Sequence, residues 1–123
     1  MATIKSYTDL EQSKKLSEIL PLESADMHYL KHSLENFYSP IPFIGKYSVI
    51  HDQLPCWSLA ALLSVLPEYI KFDGHTWKFY NDHCSTYYMN ADTYDTNTFS
   101  ANNKNFVDNC YEMILKLHEQ KLL

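Results

Sequence analysis

Two glycines, Gly45 and Gly74, are all that a chain of 123 residues has for turns that need positive φ. An average chain of this length carries about eight or nine. The shortage excludes the Walker A loop and the G-x-G-x-x-G turn, which need glycine to bring backbone close to phosphate. It also gives weight to the position of Gly74. It follows Asp73 between two apolar-aromatic runs, Tyr69–Phe72 and Thr76–Tyr80. Asp-Gly in that setting is the strongest short hairpin signal, because both residues tolerate positive φ. A third strand, Ser85–Met89, follows across Asn81-Asp82-His83.

Helices frame this meander. Thr8 and Glu11 have capping-box spacing, and Leu10, Leu16, Ile19 and Leu20 share a face until Pro21, which predicts a helix over 8–20. Residues 55–66 are apolar almost all round, with Pro55 at the first helical position and Pro67 as the stop, which predicts a buried helix. Phe106, Val107, Cys110, Met113, Ile114 and Leu117 form one stripe at period 3.6. Asn102, Asn103 or Asn105 caps that helix, and Lys116, His118 and Lys121 suit the negative end of its dipole. Residues 21–55 hold four of the five prolines, with Met27–Leu30 and Tyr47–Ile50 as candidate strands. Asn90–Asn105, with five asparagines, reads as a long loop. The expected fold is one α+β domain over 1–123: a small antiparallel sheet, hairpin or meander, with about three helices packed on one face.

Ten lysines, no arginine and fifteen acids give a net charge of −5. The deficit is even, with five lysines and seven acids in residues 1–55 against five and eight in 56–123. Without a basic footprint or arginine forks, nucleic acid is not an expected partner. No stretch reaches the roughly 18 apolar residues of a membrane span, and the N-terminus has no signal-peptide core, so no membrane partner is expected. Three cysteines without C-x-x-C spacing (Cys56, Cys84, Cys110) argue for a reducing, cytoplasmic setting.

No cofactor or metal is expected either. His28 and His32 are four apart without a partner pair, and Asp82-His83-Cys84 are adjacent residues that a strand would point to alternate faces. Asp92, Asp95 and Asn97 lack the spacing, the glycine and the closing glutamate of an EF-hand, and suit Asx turns instead.

Two groups could carry function. Cys56-Trp57 at a helix start has the look of a papain-type nucleophile, with His75, His83 or His118 as base and Gln53 as oxyanion donor. Its glycine-rich approach is missing, and a buried structural thiol is the expectation, with a minimal cysteine hydrolase as the alternative. The second group is aromatic. Alternation along Thr76–Tyr80 puts Trp77 and Phe79 on one side, covered by helices, and Lys78 and Tyr80 on the other, joined by Tyr87 or Tyr88. That exposed face is the expected contact surface for a protein partner, a homodimer being the simplest case.

The segments Thr8–Leu16, Leu20–Met27, Pro55–Leu63 and Glu112–His118 together resemble small uncharacterised proteins of gut Bacteroidetes, a group commonly associated with prophages and other mobile elements. The resemblance implies that origin and a small α+β fold, and it implies no catalytic residue; the expected role is that of a small accessory or protein-interaction protein.

Overall fold

The computed structural model describes residues 5–32, 37–46, 53–82, 85–103 and 105–123. They form two compact units, one of Ser6–Leu62 and one of Lys5 with Leu63–Leu123.

In the first unit Asp9, not Thr8, caps helix α1 (Leu10–Ser17). The capping box closes with Gln12, whose amide donates to Asp9 Oδ1 at 2.8 Å while its side chain accepts from the Asp9 amide at 3.1 Å. Thr8 is unavailable because it is buried and paired elsewhere. Its amide donates to the Trp57 carbonyl at 2.9 Å, and its hydroxyl accepts from the Trp57 amide at 3.1 Å. The helix is therefore shorter than the 8–20 span its apolar spacing predicts. Pro21 then leads into a 3-10 turn, Leu22–Ser24.

Strand β1 (Met27–His32) realises the expected Met27–Leu30 strand and pairs antiparallel with β2 (Phe37–Tyr38), β3 (Phe43–Ile44) and β4 (Gln53–Cys56). Pro55 lies in β4 opposite His28, so the helix predicted to start there begins later, as α2 (Leu59–Val65). The cap is Ser58, whose hydroxyl accepts from the Ala61 amide at 3.1 Å. Among the described residues β4 pairs only with β1, so proline, which has no N–H to give, is tolerated on its edge. Tyr29, Leu54 and Cys56 share the buried face of this sheet, and α1 packs on β4. The predicted strand at Tyr47–Ile50 lies outside the described residues.

The second unit is a meander of β5 (Tyr69–Phe72), β6 (His75–Asp82), β7 (Ser85–Asn90) and β8 (Phe99–Ala101) in that spatial order, closed by helix α3 (Phe106–Glu119). Asp73 and Gly74 take φ of 53° and 76°, the two positive values of a type I′ hairpin turn. That turn sets the register Phe72↔His75 through Tyr69↔Lys78. Asn105 caps α3 by accepting from the Asp108 amide at 2.8 Å. The helix buries Val107, Cys110, Met113, Ile114 and Leu117 and packs on β7 and β8.

Two expectations are corrected. The chain is α+β, but its described residues form two antiparallel sheets in place of one small sheet under three helices. Two-residue strands such as β2 and β3 are too short to leave an alternating pattern. The polar stretch 90–105 is not loop throughout: β8 lies within it, and Phe99 and Ala101 are buried beside Tyr88 and Thr86. In its first part the expected Asx turn forms at Asp95, whose Oδ1 accepts from the Asn97 amide at 2.8 Å, and Asn90 Oδ1 accepts from the amides of Asp92 and Thr93. We expect Phe99→Ala and Ile114→Ala each to destabilise the fold by about 2–5 kcal/mol in urea unfolding. A neutral Phe99→Ala would show that β8 is not part of the core.

Candidate functional site

The four-stranded sheet has two chemically different faces because side chains alternate along each strand. On one face Phe72, Trp77, Phe79, Tyr88 and Phe99 meet edge-to-face, with centroid separations from 5.0 Å (Phe72–Phe99) to 6.4 Å (Tyr88–Phe99). This is the face toward α3: Tyr88 is fully buried, and α3, with Cys110 on its buried stripe, packs on β7 and β8. Burial raises the Tyr88 phenol above its ordinary pKa, and the hydroxyl donates to the Pro67 carbonyl at 2.7 Å.

The opposite face carries the candidate site. Tyr80 and Tyr87 are cross-strand partners with rings stacked at 5.5 Å and 18°. Lys78 sits one step along β6 on the same face, its Nζ 5.6 Å from the Tyr80 ring centre and 6.0 Å from that of Tyr69. Tyr69 is its cross-strand partner on β5 and is 53% exposed. Met89 flanks Lys78 on β7, and Asp82 follows Tyr80 at the exposed end of β6. Cation–π contact aligns the ammonium with two rings and leaves its remaining surface free to meet a partner. The result is a half-exposed aromatic row with a cation on one side and a carboxylate on the other.

Of the residues predicted for the contact surface, Lys78 and Tyr80 lie on this face, and of the alternatives Tyr87 and Tyr88 it is Tyr87 that joins them. Tyr88 is corrected: it opposes Phe79 in the ladder and so shares the covered side. Sequence reasoning also missed Tyr69 as part of the site. A two-residue Asp-Gly turn already fixes Tyr69 opposite Lys78, so the signal was there in the hairpin spacing.

Cys56 is fully buried. It lies on β4, not on a helix N-terminus, and its thiol donates to the Thr8 carbonyl at 3.4 Å and accepts from the Thr8 hydroxyl at 3.5 Å. Tyr29 donates to the same carbonyl at 2.9 Å, and Ser13 pairs with the Thr8 hydroxyl at 2.8 Å. Burial pushes the Cys56 thiol up in spite of hydrogen bonds that favour the thiolate, the opposite of an activated nucleophile. His75, offered as a base, has Nδ1 at 2.7 Å from Asp92 Oδ2 on the surface. His83 and Cys84 lie outside the described residues.

His28 stands on a strand, where a residue four positions away is roughly 13 Å distant, so helical ligand spacing does not apply to it and His32. Among the described residues no group of three or more His, Cys, Asp and Glu is placed to hold a metal ion. No described helix is long and apolar enough to cross a membrane.

Compared with protein-family models, curated proteins and solved structures, the chain matches none.

The buried thiols carry a pH signature. Burial pushes Cys110 up to about 12 from an ordinary 9.0, so its proton is held more tightly in the folded state. Its contribution to stability is complete below pH 9 and is lost as pH rises toward 12. We expect Cys56 and Cys110 of the native protein to resist thiol reagents at pH 8, and Cys110→Ala to flatten the alkaline fall in urea-unfolding stability. Fast native labelling of Cys56 at pH 8 would contradict its burial.

Proposed function

We propose that this chain acts by contact, as a small accessory or interaction protein, and that the face bearing Tyr69, Lys78, Tyr80 and Tyr87 is its contact surface. The observation that carries the reading is the tyrosine row itself. Large amphipathic rings lie on a sheet face that its own unit's closing helix does not cover, where tyrosine adds contact area with little entropy to lose. By alternation only two lysines, Lys71 and Lys78, stand on this face, and the chain has no arginine and a net charge of −5. That favours a protein partner over single-stranded nucleic acid, whose platforms combine stacking rings with a positive groove. Unpaired buried thiols at Cys56 and Cys110 suit a cytoplasmic setting, and the resemblance to Bacteroidetes proteins supports an origin in a phage or mobile element.

The test is affinity capture in a host carrying the element, with tagged and untagged copies expressed together. Wild-type bait should recover a stoichiometric partner, either another chain or the untagged copy. Tyr80→Ser and Tyr87→Ser should lose it at least about tenfold, while unfolding stability falls by no more than about 1–2 kcal/mol, the cost of a cross-strand aromatic pair at a partly buried site. Equal recovery by wild type and both variants would remove this face from the function.

A further inference from the structure

The arrangement of charge about the tyrosine row points to a particular occupant for this face. Resting on the contact reading above, we propose that it is a second copy of the same chain, packed face to face about a two-fold axis that runs along the Tyr80–Tyr87 row.

The argument is one of self-complementarity. Lys78 and Asp82 lie two residues before and two residues after Tyr80 on β6, all three on one face. Each is about 7 Å from the tyrosine row, on opposite sides of it. A two-fold axis lying in the interface and crossing the strands at that row reverses the strand direction and leaves β6 over β6. It carries Lys78 of one copy onto Asp82 of the other, and Asp82 onto Lys78, so two opposite-charge pairs form from one chain's own sequence. The same rotation brings Tyr80 against Tyr80 and Tyr87 against Tyr87, and sets Met89 over Ser85, a large side chain facing a small one.

Packed sheets stand about 10 Å apart and cross at about 30°, which shifts residues 7 Å from the axis by roughly 4 Å, a distance the four-carbon lysine stem can follow. An isologous contact demands self-complementarity of this kind. A two-fold axis along the strands would instead set Lys78 beside Lys78, so the charges select the axis as well as the partner.

Sedimentation equilibrium of the purified chain, from about 1 µM to about 500 µM, reads the dimer directly. Wild type should convert from monomer to dimer within that range. Lys78→Asp alone puts carboxylate against carboxylate twice, and Asp82→Lys alone puts ammonium against ammonium twice. Each should weaken the dimer about tenfold or more. Mixed one to one, the two variants should form a heterodimer, because the combination places opposite charges at both contacts. The double variant Lys78→Asp/Asp82→Lys should recover self-association, and raised salt should weaken wild type and the double variant alike.

A wild type that stays monomeric over the whole range overturns the second-copy proposal. So does a dimer that both single variants leave unchanged, or a mixture that fails to pair while each variant keeps its native circular dichroism. The broader contact reading falls only if Tyr80→Ser also leaves capture of a different chain unaffected, so the two failures are told apart.

Discussion

Strict alternation of side chains along β6 and β7 is the constraint from which most of the chemistry of this protein follows. An eight-residue β6 and a six-residue β7 paired without a bulge cannot put neighbouring aromatics on one side. Trp77, Phe79 and Tyr88 must go to one face and Lys78, Tyr80 and Tyr87 to the other. One set is sealed by the apolar stripe of α3. The other is left as a half-exposed tyrosine row bracketed by opposite charges. A register slip of one residue would exchange the two sets, exposing Trp77 and burying Lys78 without a partner. The Asp73-Gly74 turn, with both residues at positive φ, fixes the register of β6 against β5.

The first unit is organised around a different constraint, the need to satisfy polar groups inside a small core. Thr8 sits at its centre. Its carbonyl accepts from Tyr29 and Cys56, and its amide and hydroxyl engage the backbone of Trp57. Among the described residues no buried side-chain nitrogen or oxygen is left without a hydrogen-bond partner. A satisfied cluster of this kind fixes one arrangement of chain segments, because a partly satisfied one would cost more than an apolar core. Cys56, which with Trp57 suggests chemistry in the sequence, lies buried inside this cluster with its thiol hydrogen-bonded to Thr8.

The legible parts of the fold were those with a period or a turn code. The stripe from Phe106 to Leu117, the Asp-Gly hairpin and the split of Trp77 from Lys78 could all be read directly. What was not legible has physical reasons. Pro55 at the head of an apolar run looks like a helix start, yet pairing opposite His28 holds it in a strand until Ser58 supplies the cap. Thr8 has capping-box spacing, but tertiary contacts claim its side chain and pass the cap to Asp9. Strand β8 is three residues long and hidden among asparagines and threonines, so only its ladder to β7 reveals it. The contact face was half legible: alternation separated Tyr80 from Trp77, but choosing between Tyr87 and Tyr88 needed the register of β7 against β6.

The central claim is that one sheet face is covered by the chain itself and the other by a second copy of it. Residue-resolved hydroxyl-radical footprinting, run on dilute and concentrated protein and read by mass spectrometry, tests it most directly. Tyr88, Trp77 and Phe99 should be protected at every concentration. Tyr69, Tyr80 and Tyr87 should react readily in dilute solution, and Tyr80 and Tyr87 should become protected as concentration rises. Tyr88 reacting as fast as Tyr80 in the native protein, or Tyr80 and Tyr87 reacting equally at all concentrations, would contradict the account.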